Sequence, residues 1–263
     1  MTVRLLALDF DGVISDSAAE AFLVALRTFA GLWPDSEVAR QARSLRELPT
    51  RDELRSSALY PSFVTHMPLG NRAEDFGVVL DAFEAERALP DQFAYDAFRE
   101  THDEAWLQVF HRRFYHEREK LSSRHPEEWL ALMAPYAPVL EMLRRRAGEV
   151  TLAVATARDR GSVKLLLDAY GIADLVDDSL LLDKEAGRSK RAHLRALAAR
   201  SGIAARDSRF LDDKLNHLES VAELGVSCAL AGWGYNGERE QRRARQRGFR
   251  VCSLADVEAW GID

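Results

Sequence analysis

Four short apolar runs stand out along the chain: "VRLLALDF" from Val3, "VTLAVATA" from Val150, "RFLDD" from Arg209 and "VSCALAGWG" from Val226. A strand buried on both faces reads as a near-continuous apolar run of this length, without polar alternation. Polar residues and then a helical pattern come after the first three runs. Repeated strand-then-helix order predicts an α/β domain with a parallel sheet. The run "DDSLLL" from Asp177 is a candidate for a further strand. Ligands of open parallel sheets bind at the carboxyl ends of the strands, so the polar residues just past these runs are the first place to look for chemistry.

Between the first run and the second the pattern changes. From about residue 17 to 134 helix signals dominate. Ser17 with Glu20, and Thr50 with Glu53, each have the spacing of a capping box. Pro126 in "HPEEW" suits a first helical turn. Trp106, Phe110 and Phe114 recur at helical spacing and predict a packed face. Pro135 and Pro138 in "APYAP" punctuate the end of this stretch. The sequence therefore predicts a helical insertion placed after the first strand.

Composition narrows the classes. A chain of 263 residues, 47% hydrophobic and 30% charged, is ordinary for a globular protein with a well-buried core. A formal charge of −6 argues against a nucleic-acid partner. Cys228 and Cys252 lack metal-type spacing and read as small core residues of a reducing compartment. No apolar run is long enough to span a membrane, and Asp9 interrupts the N-terminal run before it could act as a signal peptide. The expected location is cytoplasmic.

The candidate chemistry sits at the strand ends. "DFD" places Asp9 and Asp11 where the first strand should stop, and "RFLDD" places Asp212 and Asp213 at the end of another. An isolated D-x-D could simply end a strand and cap the next turn. If these strands are parallel neighbours, however, as many as four carboxylates converge on one sheet edge. Such a cluster calls for a hard cation, and Mg²⁺ suits oxygen ligands. Magnesium held by few carboxylates keeps positions for water and phosphate oxygens, which points to phosphoryl chemistry. Thr156, after "LAVA", offers a hydroxyl and a backbone N–H for a phosphoryl oxygen. Lys190, after the N-cap candidate Ser189, offers a point charge. The chain has only five lysines among its 36 basic residues, which draws attention to each.

In "LLALDFDGV", "LAVATAR", "SKRAHL" and "RFLDDKLNHLESVAELGV" the chain resembles the haloacid dehalogenase-like (HAD) hydrolase superfamily, whose four motifs come in this order and spacing. The resemblance implies a Rossmann-like parallel-sheet core over residues 1–15 and 138–263, with an inserted all-helical cap over 16–137. It implies Asp9 as nucleophile, Asp11 as general acid and base, and Thr156, Ala157, Arg158 and Lys190 around the phosphoryl group. Asp9, Asp11 (through its main-chain carbonyl), Asp212 and Asp213 would hold Mg²⁺, with Asp212 favoured as the direct ligand and Asp213 binding directly or through water. The implied activity is hydrolysis of a small phosphomonoester through an aspartyl-phosphate.

Some alternatives remain. Dehalogenases of the superfamily lack an aspartate at the position of Asp11, so its presence favours phosphoryl transfer. A phosphomutase would use the same intermediate. A phosphonate hydrolase would need a cap lysine, for which Lys120 is the only candidate, and a non-catalytic HAD-like binding protein would need none of the set. Lys184 competes with Lys190, whose place at a helix start and spacing to "LDD" favour it. Arg158 could face a substrate anion or pair with Asp159 or Asp174. Gly232, Gly234 and Gly237 read as a turn rather than a dinucleotide fingerprint. The cap's basic and histidine residues, among them His66, Arg72, His111, Arg112, Arg113, His116 and Arg118, have no zinc pattern and are given no site role.

Overall fold

A computed structural model describes residues 3–70, 72–187 and 189–262. The chain divides into two compact units, Met1–Asp16 with Pro135–Asp263, and Ser17–Ala134.

The first unit is built on a six-stranded sheet. Its strands are β1 (Leu5–Leu8), β2 (Thr151–Ala155), β3 (Leu181–Leu182), β4 (Ser208–Asp212), β5 (Ser227–Ala231) and β6 (Arg250–Cys252). Their order across the sheet is β3-β2-β1-β4-β5-β6, with every pairing parallel. Each parallel step requires a crossover, and the helical segments between strands supply it.

Register explains the burial. Ala7 lies beside Ala153 on one side and Phe210 on the other. These residues share one face with Leu5 and Ala155, packed with Leu194, Leu197, Leu218 and Val221 from the flanking helices. By strand alternation Leu6, Leu8, Leu152, Val154 and Leu211 face the opposite side, and all are buried as well. A sheet covered on both faces needs unalternated apolar strands, and that is why the four runs are visible in the sequence. The run from Asp177 yields only the two residues of β3, because Asp177 caps a short 3-10 turn over Asp178–Leu180 before the strand begins. β6 has no sequence signal of its own, being three residues that come after an arginine-rich helix, Glu238–Gln246.

The second unit is helical, its longest helices being Ala18–Leu32, Ala73–Glu84 and Glu104–Arg124. Trp106, Phe110 and Phe114 do form a ladder of rings along the last of these, with Phe110 and Phe114 fully buried. Thr50 and Glu53 make both bonds of a capping box: the Thr50 N–H donates to Glu53 Oε2 at 2.7 Å, and the Glu53 N–H donates to Thr50 Oγ1 at 3.3 Å. Pro126 starts its helix as expected.

The expected Ser17–Glu20 capping box is absent, for Ser17 makes no side-chain cap bond. Glu20 is wholly buried and turns to Arg118 instead, accepting bonds of 2.7 and 2.9 Å from Nε and Nη2, with a third of 3.1 Å from Trp129 Nε1. A bidentate guanidinium and an indole satisfy a buried carboxylate better than a single backbone N–H could. Among the described residues no helix is long and apolar enough to cross a membrane.

Candidate active site

The site is assembled at the carboxyl edge of the sheet, where β1 lies between β2 and β4. Leu8 is in register with Val154 and with Leu211, so Asp9 falls level with Ala155 and Asp212. The Asp9 N–H donates to Leu211 O at 2.9 Å, which fixes the carboxylate at the strand end. Lys190 is the first residue of helix Lys190–Ser201, whose N-cap Ser189 accepts a bond from the Ala192 N–H.

The Lys190 ammonium ties these elements together. Its Nζ lies 2.7 Å from Asp9 Oδ1 and 3.5 Å from Asp212 Oδ2, and it donates to Ala155 O at 2.5 Å. Burial disfavours the charged ammonium, but Asp9 and Asp212 outweigh it and raise the Lys190 pKa. Lys190 is therefore a fixed positive charge at neutral pH. Burial likewise raises the Asp9 pKa, with Lys190 opposing the shift and the Asp212 carboxylate adding to it. Burial pushes Asp212 upward too, but His217 and Lys190 prevail and leave it below the ordinary carboxylate range. The Lys184 ammonium bonds Glu185 at 2.7 Å, and its backbone N–H donates to Arg158 O.

Thr156 comes directly after β2 and is 1% exposed. Its backbone N–H continues the sheet by donating to Leu182 O at 2.8 Å, so it is not free for a phosphoryl oxygen as the sequence suggested. The hydroxyl accepts from the Arg158 N–H at 3.1 Å and keeps its own proton to donate. Ala157 lies between these two residues and is half-buried.

Arg158 reaches Asp11, in the loop after β1. Its guanidinium grips Asp11, with Nε at 3.0 and 3.1 Å from the two carboxylate oxygens and Nη2 at 3.0 Å from Oδ1. Asp159 is occupied as the N-cap of helix Arg160–Ala169, accepting from the N–H and hydroxyl of Ser162. The Asp11 side chain is about a third exposed, whereas Arg158 is buried. A buried guanidinium thus holds a carboxylate that still faces outward.

Asp213 is buried behind the turn after β5. Its Oδ2 accepts from the Tyr235 N–H at 2.7 Å, and its main-chain carbonyl accepts from Asn236 Nδ2 at 3.1 Å. Burial and the adjacent Asp212 charge raise its pKa well above the ordinary value. Two glycines permit this close approach. A Cβ at Gly12, where φ is +79°, would fall 2.3 Å from Asp213 Oδ2, and one at Gly234 would fall 2.4 Å from Asp213 Cβ and from Gly12 O. Gly234 is therefore required by close approach as well as by the turn in which it sits.

The residues fit a divalent cation. Asp213 Oδ1 is buried with no hydrogen-bond partner among the described residues. Asp9, Asp212 and His217 each offer a ligand atom, all within 4.8 Å of one another. Buried carboxylates facing a single ammonium leave negative charge that a cation would offset. His217 is the member that sequence reasoning passed over. Its signal was its place five residues after Asp212, in the first turn of helix Leu215–Ala222, which the helix period brings back over the strand end.

No family model and no curated protein matches the chain. Solved structures do match along nearly its whole length. A predicted phosphoglycolate phosphatase from Haemophilus somnus is 19% identical at a TM-score of 0.66, covering 99% of this chain and 98% of that one. A haloacid dehalogenase-like family hydrolase from Streptococcus pneumoniae is 10% identical at a TM-score of 0.60, covering 98% of each chain. A predicted phosphatase from Clostridium acetobutylicum is 12% identical at a TM-score of 0.59, covering 99% and 98%. With its parallel α/β sheet, its helical insertion after the first strand and these structural relatives, the chain has the fold of the haloacid dehalogenase-like hydrolases.

Proposed function

We propose that the protein is a hydrolase, a Mg²⁺-dependent phosphatase acting on a small phosphomonoester through an aspartyl-phosphate at Asp9. The observation that carries this reading is the Lys190 ammonium 2.7 Å from Asp9 and 3.5 Å from Asp212, at a sheet edge that also holds Thr156 and Asp11. A scaffold or binding domain would gain nothing from burying these charges together. The phosphatase names of the structural relatives agree with it.

Phosphate monoesters resist hydrolysis because an anionic nucleophile must approach an anionic phosphoryl group, and enzymes accelerate the reaction by up to about 10²¹-fold. Asp9 would attack phosphorus in line, forming the Asp9 Oδ–P bond while the P–O bond to the leaving alcohol breaks. Lys190 would place fixed positive charge beside the attacking carboxylate and the phosphoryl oxygens. The Thr156 hydroxyl would donate to one of those oxygens. Asp11, aimed by Arg158, would give its proton to the departing alkoxide and then take one from the water that cleaves the aspartyl-phosphate. Asp9, the Asp11 main-chain carbonyl, Asp212 and Asp213 would hold Mg²⁺, which would supply further charge neutralisation for the transferring group.

Phosphate release from a panel of small phosphomonoesters, with Mg²⁺ and with a chelator, tests the reading. Phosphoglycolate belongs in the panel because one structural relative bears that substrate in its name. The expected result is metal-dependent release that Asp9→Asn abolishes. Release that survives the substitution would refute the assignment, and exchange of phosphoryl groups between sugar positions without release would favour a mutase.

A further inference from the structure

His217 introduces a nitrogen donor into what is otherwise an oxygen site. Its Nδ1 lies 3.1 and 3.0 Å from the two oxygens of Asp212, and it groups with Asp9 as well as Asp212 as a potential ligand. Asp212 is at the same time anchored by the Lys214 N–H at 2.8 Å, so strand end and helix start hold the pair in place. Two donors set at right angles around a cation with bonds of about 2.1 Å are about 3.0 Å apart. The His217–Asp212 separation has this value. The imidazole is mostly buried, with 15% of the side chain exposed, and the orphaned Asp213 Oδ1 lies on the residue next to Asp212.

Ligand chemistry then sets metal preference. Mg²⁺ takes oxygen ligands and demands near-ideal octahedral geometry, whereas imidazole suits first-row transition ions. We propose that His217 Nδ1 is a ligand of the cation in this site, and that the site consequently prefers a transition-metal dication such as Mn²⁺ to Mg²⁺. The inference rests on the phosphatase reading for the location and catalytic use of the cation, and it differs from that reading in which ion the protein holds most tightly. Coordination through Nδ1 places the ring proton on Nε2. When no cation is bound, the same Nδ1 can carry a proton and donate to Asp212.

Metal binding to the full chain without substrate tests this. Mn²⁺ and Mg²⁺ affinities are measured by titration for the wild type, His217→Gln and His217→Asp, with pulsed EPR of the Mn²⁺ complexes and thermal melting of each variant to establish that it is folded. Gln keeps an N–H donor for Asp212 but removes the imidazole ligand, and Asp makes the site all-oxygen. The wild type should show ¹⁴N coupling to Mn²⁺ that both variants lose. His217→Gln should weaken Mn²⁺ by about 10-fold or more, at least the loss seen when a partner of a ligand is removed, while Mg²⁺ changes by less than about threefold. His217→Asp should strengthen Mg²⁺ binding relative to Mn²⁺.

Absence of ¹⁴N coupling in the wild type, or a Mn²⁺-to-Mg²⁺ ratio that His217→Gln leaves unchanged, would overturn the inference and make His217 only a hydrogen-bond partner of Asp212. The two readings fail separately. Nitrogen-coordinated Mn²⁺ in a protein that releases no phosphate would leave this inference standing and refute the phosphatase. Phosphate release with no nitrogen coupling would do the reverse.

Discussion

Arg158 and Asp11 form a contact that no local pattern could reveal, because 147 residues separate them in the chain. The sequence offered Asp159 and Asp174 as nearby partners; the first caps a helix, and the guanidinium bonds the Asp11 carboxylate in the loop after β1. The consequence is specific: Arg158 should position the carboxylate proposed to transfer the proton. Arg158→Lys keeps the charge but loses the bidentate grip, and phosphate release should fall about tenfold, a loss typical of disturbing general acid–base catalysis, with KM nearly unchanged. Steady-state kinetics on the best substrate of the panel would check this; a rise in KM with kcat intact would instead assign Arg158 to substrate binding. Gly12 gives a second prediction. Its φ of +79° and the 2.3 Å approach of a Cβ to Asp213 Oδ2 mean that Gly12→Ala should cost about 1–3 kcal/mol in urea unfolding, and equal stability would contradict the tight turn. Asp9, Asp11, Thr156, Asp212 and Asp213 were legible as candidates because strand ends of a parallel sheet announce themselves, and Lys190 because it follows a helix-capping serine. His217 was not, because it lies past the strand end, in the helix Leu215–Ala222, and has no motif spacing of its own.

At the scale of elements, helix Lys190–Ser201 carries both the site ammonium and His193, which is 2% exposed and bonded through Nε2 to Gly187 O at 3.1 Å. Burial, reinforced by Lys190, lowers the His193 pKa to about 4. The unfolded chain, with an ordinary histidine, binds the proton first as pH falls. Stability contributed by neutral His193 is therefore full above about pH 6.5 and lost progressively toward about pH 4, by about 2 kcal/mol from this residue. Denaturant unfolding between those limits should show the loss, and His193→Gln should flatten it; an unchanged slope in the variant would place the loss elsewhere. The helical unit turns on a different buried group. Removing the charge of Glu20 takes from the buried Arg118 the carboxylate that accepts its two bonds, so Glu20→Gln should destabilise by about 3–5 kcal/mol, read from the same kind of unfolding curve. Ser17 and Glu20 looked like a capping box because the spacing of such a box says nothing about burial. Thr50 and Glu53 have the same spacing on an exposed turn, where the box forms.

Across the whole molecule, the order β3-β2-β1-β4-β5-β6 puts the first strand at the centre of the sheet, with the ends of β2 and β4 on either side. The sequence showed which runs were strands and that they were parallel, since both are consequences of apolar continuity and the alternation with helices. Which strands are neighbours depends on packing between residues about 145 and 200 positions apart, and the strand-end motifs hinted at it only because their chemistry requires them to meet. The two thiols fit the same picture: burial pushes Cys228 up to about 12 and Cys252 up to about 11, so neither is an activated thiolate. Everything proposed for the site turns on Asp9 itself carrying the phosphoryl group during turnover. To detect it, the wild type is mixed with its best substrate and metal, quenched in acid, and mapped for phosphorylation by mass spectrometry. One phosphoryl group is expected on the peptide containing Asp9, and none on that peptide of Asp9→Asn; substrate turnover with no phosphoryl group there, or with the label on another residue, would contradict Asp9 as the nucleophile.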